Sequence, residues 1–126
     1  MTGILITNNP MVHKRHFNHV DMVFLEHADL LDILYTVRNK IHAGHGLLSH
    51  PLSGSVKPGQ TPYKSVMITK DQQALDPEAL KIIENSIEIA ENQINRNRAQ
   101  AGDIPEKLLE DFQLVDLDLI TSGMDQ

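Results

Sequence analysis

The chain alternates between short apolar runs closed by turn-forming residues and longer segments in which apolar positions recur every three or four residues. Three short runs rich in β-branched residues predict strands over 4–7, 20–26 and 65–69. The link between the first two runs contains the basic, histidine-rich stretch 13–19, which is too short for a full helical crossover. Direct pairing of these two strands is therefore expected to be antiparallel, and parallel strands would have to be separated in the sheet.

Two longer segments have the spacing of helices that bury one face. The first predicts a helix over 29–43, with Asp29 as its N-cap and Gly44 at its end. The second predicts a helix over 77–98. It begins with an Asp-Pro pair, in which Asp can cap the helix and Pro lacks an N–H at a position where that N–H would have no partner in the helix. The apolar positions that define these faces are Leu30, Leu34, Val37 and Ile41 in the first, and Leu80, Ile83, Ile87, Ala90 and Ile94 in the second.

The C-terminal part carries shorter signals. Asp103 and Glu106 resemble a capping box and predict a short helix over 105–112. The stretch 114–120 alternates apolar and acidic residues, which predicts an edge strand. Together the elements predict a single α/β domain over 1–126, with a small, at least partly parallel sheet of four or five strands, two main helices, and a variable segment from about 99.

Composition narrows the classes of function. A chain of 126 residues is too short for a doubly wound pair of dinucleotide-binding halves. Its 11 basic and 17 acidic residues give a net charge of −6, which disfavours nucleic-acid binding. Cysteine is absent, so thiol catalysis and cysteine-ligated metals are excluded. No apolar run approaches the roughly 20 residues of a membrane span, so we expect a cytoplasmic protein that does not bind membranes.

The connection between the 29–43 helix and the 65–69 strand is the unusual segment of this chain. More than half of the 7 Gly and 6 Pro fall in it. Irregular connections longer than about 12 residues are uncommon in compact domains and are usually functional or disordered. Its three prolines, Pro51, Pro58 and Pro62, restrict the backbone and favour a rigid loop. The segment 42–65 is therefore predicted to be a shaped loop.

Small and polar residues in this loop predict an anion site. Ser53, Gly54 and Ser55, followed by Lys57, supply amides, hydroxyls and an ammonium that suit phosphate or carboxylate, although the spacing is not that of a P-loop. The simpler interpretation is a hydrogen-bonded turn with a solvated lysine. The predicted ligand-binding residues, which include the polar end of the first strand, are Asn8, Asn9, His50, Ser53, Gly54, Ser55, Lys57, Tyr63, Lys64 and Ser65.

Asn8 and Asn9 also have a simpler interpretation, because asparagine stabilises turns through its own backbone. The histidines of the loop allow two further interpretations. His42, His45 and His50 could converge on a metal, but their spacing matches no closed zinc module. A dipole contact for His42 and loop hydrogen bonds for His45 and His50 are the simpler interpretation. No metal is predicted, and the cofactor is unknown. Pairing His50 with a loop serine as base and nucleophile lacks both a nucleophile elbow and a nearby orienting carboxylate.

Two stretches together resemble the GrdX family. They are ITNNP at 6–10 and HAGHGLLSHPLSGSVKPGQTPYKS at 42–65, and the resemblance extends over about 4–94. Members of this family are small proteins encoded beside the glycine, sarcosine and betaine reductase components of amino-acid-fermenting anaerobes. The resemblance implies an accessory role around a selenoprotein reductase system, with glycine or betaine reductase components as partners. It implies no enzymatic activity for any particular residue.

Two functional hypotheses follow. The leading one is a non-catalytic accessory protein that binds a small anionic ligand or a partner through the 42–65 loop. The alternative is a small enzyme that acts on a phosphorylated or acyl compound with a loop histidine as acid or base. A regulatory protein is a third class, although the acidic charge disfavours direct DNA contact. The long helix also carries a broad apolar stripe, widened by Ile82 and Ile89, which makes a homodimer through its outer half reasonable.

Overall fold

A mixed sheet with helices on both faces forms the described part of the chain, which in this computed structural model comprises residues 3–52, 61–97 and 104–124. Within those ranges the sheet has three strands in the order β2-β1-β3, and there are four helices. The α/β class is confirmed, and the predicted four or five strands are more than this structure contains. The elements are β1 (Gly3–Thr7), α1 (Pro10–His16), β2 (Asp21–Phe24), α2 (Leu30–His42), β3 (Ser65–Thr69), α3 (Pro77–Asn97) and α4 (Glu106–Met124).

Strands β1 and β2 pair directly and in parallel, from Ile4 beside Asp21 to Thr7 beside Phe24. The prediction that direct pairing would be antiparallel is wrong. A parallel pair needs a crossover, and α1 provides one in only 7 residues. The helix can start immediately after β1 because Asn9 caps it and Pro10 occupies its first turn, where a missing donor costs nothing.

The predicted C-terminal edge strand over 114–120 is also wrong, because these residues lie within α4. The predicted short helix over 105–112 contains the start of that longer helix. The buried face of α4 follows helical spacing but contains polar residues, so the apolar pattern alone does not reveal this helix. Asp116 and Ile120 are buried there, and Leu117 and Met124 pack beside them. Asp103, the other half of the predicted capping box, lies outside the described residues.

One face of the sheet packs against α2 and α3. The bounds of these helices are close to those of the two predicted helices, 29–43 and 77–98. The capping box between Asp29 and Asp32 starts α2, and Gly44 follows it with φ of 108°, in the left-handed region that favours glycine. Each fully buried aliphatic side chain in this layer contributes roughly 1.5–3 kcal/mol of transfer free energy. The buried aliphatic core includes Ile6, Val66 and Ile68 from the strands, Ile33, Leu34, Val37 and Ile41 from α2, and Ile83 and Ile87 from α3.

The opposite face packs against α1 and α4. Leu5 and Met67 point to this side because successive strand residues face opposite ways, and they contact Val12, Val20 and Ile120. The C-terminal helix therefore completes the second layer of the fold. Among the described helices, none has both the length and the apolar content needed to cross a membrane.

Candidate functional site

The site is built where the end of β1 lies beside the start of β3. The antiparallel register pairs Thr7 with Ser65, so the residues after β1 meet the residues before β3. Asn8 is 2% exposed, and its Oδ1 accepts a hydrogen bond from the backbone N–H of Lys64 at 2.9 Å. Its Nδ2 donates to the carbonyls of Ala28 and Pro62, both at 2.8 Å. Asn8 thus holds the end of the 42–65 loop against the sheet.

Asn9 is completely buried and joins two helices. Its Oδ1 accepts from the backbone N–H of Met11 at 3.0 Å, which caps α1. Its Nδ2 donates to the carbonyl of Gln113 at 2.9 Å and to Oδ2 of Asp116 at 3.0 Å. Both protons on each asparagine amide are therefore used within the protein. The bond from Met11 to Asn9 is the local turn contact of the simpler interpretation, whereas Asn8 bonds to residues distant in the sequence. A role for either asparagine in ligand binding stays a prediction.

Asp116 of α4 is the centre of a buried polar network, and it is 8% exposed. Its Oδ1 accepts from the backbone N–H of Ser65 at 3.2 Å, and its Oδ2 accepts from the Ser65 hydroxyl at 2.7 Å. A carboxylate can only accept, so the Ser65 proton points to Asp116. The Ser65 oxygen then accepts from the hydroxyl of Thr7, 2.7 Å away. Four elements meet in this network: β1, β3, α1 and α4.

Sequence reasoning missed Asp116 because it assigned this residue to an edge strand. The available signal was its spacing within a helix, since Asp116 follows Gln113 by three positions and precedes Ile120 by four. Gln113 also contacts the site, because its Nε2 donates to the hydroxyl of Tyr63 at 2.7 Å. A polar residue on the buried face of a helix commonly marks a hydrogen-bonded or functional position.

A pocket of about 230 Å³ opens beside Asp116. It brings together His50, Lys64 and Ser65 from the predicted set, whereas Tyr63 contacts Gln113 beside it. The predicted residues Ser53, Gly54, Ser55 and Lys57 lie outside the described residues. The pocket is lined by Leu48, Ser49, His50, Lys64, Ser65, Asp116, Leu119, Ile120 and Gly123.

The polar groups of the pocket have distinct chemistry. Burial lowers the pKa of Lys64, and the nearby carboxylate of Asp116 partly opposes this shift by favouring the ammonium. Nδ1 of His50 accepts from the backbone N–H of Leu52 at 3.0 Å, so the neutral ring carries its proton on Nε2. Ser49 accepts from the backbone N–H of Met67 at 2.8 Å and retains its hydroxyl proton as a donor. The pocket thus combines a cation, two neutral donors and a carboxylate.

The other two loop histidines lie elsewhere. His42 is exposed in the last turn of α2. His45 is buried, and its Nδ1 donates to the carbonyl of Thr69 at 2.6 Å. Across the described ranges no three histidine or acidic side chains are arranged to share a metal ion.

The family model described as GrdX-like protein matches residues 4–125. This match extends beyond the 4–94 region of the sequence resemblance and includes all of α4, the helix that carries Asp116. No curated protein and no solved structure matches the chain.

Proposed function

The chain belongs to the GrdX-like protein family, and from this premise we propose that it is a non-catalytic accessory protein of an amino-acid reductase system that binds a small anionic ligand. The observation that supports this proposal most directly is a pocket of about 230 Å³ that is lined by Lys64, His50 and Ser49. A concave site with a few convergent polar groups is the usual form of a small-molecule site.

The charge distribution of the pocket suits an anionic group on a small ligand. The ammonium of Lys64, Nε2–H of His50 and the hydroxyl of Ser49 are donors, and charge-assisted hydrogen bonds to carboxylate or phosphate are the strongest of this type. The negative charge of Asp116 is stabilised by donors from Ser65 and Asn9 on the side of the sheet. Leu48 and Leu119 form an apolar border that suits a short hydrocarbon part.

Removal of the Lys64 charge tests the ligand proposal. In the Lys64→Met variant we expect the affinity for acetate, phosphate or acetyl phosphate to fall at least about tenfold, which corresponds to about 1.4 kcal/mol. Isothermal titration calorimetry on the full chain measures this change. Lys81→Met is the matched control, because Lys81 is an exposed lysine of α3 outside this pocket. Wild-type protein that binds none of the three anions, or equal affinities in both variants, would contradict the proposal.

The role in a reductase system rests on family membership. Glycine or betaine reductase components are the proposed partners, and the protein is proposed to act as a single domain. Purified components mixed with the full chain should form a complex in sedimentation velocity that His50→Gln leaves intact. Separate sedimentation with every component would contradict this part of the proposal.

A small enzyme is the second candidate, because His50 lines the same pocket as Lys64. The imidazole of His50 is the group proposed to act as acid or base toward a phosphorylated or acyl compound. Turnover of acetyl phosphate that His50→Gln abolishes while binding persists would favour the enzyme.

A further inference from the structure

Lys64 is positioned differently from the surface lysines of this chain. Its backbone is held on both sides, since its N–H donates to Asn8 and the next residue begins β3. Its side chain is partly buried and lines the pocket. In contrast, Lys70 lies half-exposed in an ion pair with Asp21 at 2.7 Å, and Lys81 and Lys107 are exposed on helices. A partly desolvated amine in a pocket is the arrangement found for nucleophilic lysines.

Two further titratable groups line the same pocket as this amine. Asp116 lies on α4, and His50 lies in the first part of the 42–65 loop. A carboxylate next to the amine stabilises a cation formed on that nitrogen. Burial lowers the Lys64 pKa relative to an exposed lysine, so a larger fraction is neutral amine at a given pH.

We propose that Lys64 is a covalent site that captures small carbonyl compounds, foremost short oxo acids, as an imine in this pocket. The anionic part of the ligand rests on the function proposed above. The covalent part rests on the amine, the carboxylate and the imidazole in one pocket.

The chemistry balances without an oxidant or reductant. Neutral Nζ attacks the carbonyl carbon, a C–N bond forms as the C=O π bond breaks, and proton transfer gives a carbinolamine. The nitrogen lone pair then expels the hydroxyl group, which accepts a hydrogen bond from Nε2–H of His50 and leaves as water with a proton taken up from solvent. The product is a protonated imine, whose positive charge the Asp116 carboxylate stabilises. The hydroxyl of Ser49 donates to the carboxylate of the oxo acid.

Reductive trapping tests this proposal on the full chain. The protein is incubated with pyruvate and sodium cyanoborohydride, digested, and analysed by mass spectrometry for modified lysines over time. We expect Lys64 to be modified at least about tenfold faster than Lys81 and Lys107, which serve as references in the same sample and correspond to a difference of about 1.4 kcal/mol. Lys64→Met should remove the fast reaction and leave the slow ones. Equal rates at the three lysines would overturn the proposal.

The pH dependence gives an independent readout. The rate advantage of Lys64 should be largest well below the ordinary lysine pKa of about 10.4 and should shrink as pH approaches it, because surface lysines then also become neutral. An advantage that grows with rising pH would contradict a role for the neutral Lys64 amine.

Propionate and propanal separate this inference from the proposed anion site. Propionate carries the anion without a reactive carbonyl, and propanal carries the carbonyl without the anion. If propionate binds but pyruvate modifies all lysines equally, the imine proposal fails and the anion pocket stands. If propanal modifies Lys64 selectively while propionate neither binds nor slows the modification of Lys64, the covalent site stands and the proposal of an anionic ligand fails. If neither effect occurs, both proposals fail.

Discussion

Asp116 is the residue on which the site depends most. Its carboxylate accepts from two donors of Ser65 and one of Asn9, and its side chain also lines the pocket. A buried carboxylate is tolerated only when donors replace the water it loses. The same side chain therefore holds α4 against the sheet and sets the charge of the pocket. Sequence analysis named Ser65 and Asn9 among the predicted ligand-binding residues, and it missed the Asp116 carboxylate that joins them.

The Asp116→Asn variant should destabilise the fold. The Oδ2 position accepts from two donors, so the amide oxygen must stay there, and the new amide group would face the N–H of Ser65. The new amide N–H and the N–H of Ser65 would then both be buried donors without an acceptor, which costs about 1–3 kcal/mol of folding free energy. Urea unfolding monitored by circular dichroism measures the loss. Asp118→Asn, at an exposed position of the same helix, should change stability by less than about 0.5 kcal/mol. Similar stabilities for the two variants would show that the network contributes little.

At the scale of elements, α1 explains how two neighbouring strands become parallel across a short link. Asn9 ends the β1 segment and starts the helix, and its amide group also reaches α4. The ring of His13 in α1 stacks on Phe24, the last residue of β2, with centroids 4.2 Å apart. A single capping residue thus connects the crossover to the helix that covers it.

The two N-caps of the first half of the chain should differ in their contribution to stability. Asp29→Ala removes an exposed capping box and should cost about 1 kcal/mol. Asn9→Ala removes a cap and also a donor to buried Asp116, so we expect a loss at least about 1 kcal/mol larger. Chemical denaturation of the two variants under one set of conditions makes the comparison. A smaller loss for Asn9→Ala would contradict the joining role given to this residue.

At the scale of the whole molecule, the two helical layers leave part of α3 open to solvent. Ile89 is 52% exposed on the face away from the core. It belongs to the apolar stripe that suggested a homodimer from the sequence, and the dimer remains a prediction.

Ile89→Lys should convert a dimer to a monomer, because it places a charge in an apolar contact. Sedimentation equilibrium measures the change, and Glu88→Lys at the exposed adjacent position is the control. A wild-type monomer, or a dimer that survives Ile89→Lys, would contradict an interface through this part of α3.

Local patterns in the sequence were sufficient for the α/β class, for α2 and α3, for strands near the predicted positions, and for the family. Helical spacing and caps are properties of a few consecutive residues, so they can be read without knowing the fold. The parallel pairing, α4 and the pocket required the folded chain. Asn9 and Asp116 are separated by 107 positions, and no local pattern states that they meet. Periodicity tells which face of a segment is buried, whereas tertiary packing selects the segment that covers it, and polar residues on that buried face obscure the periodicity itself.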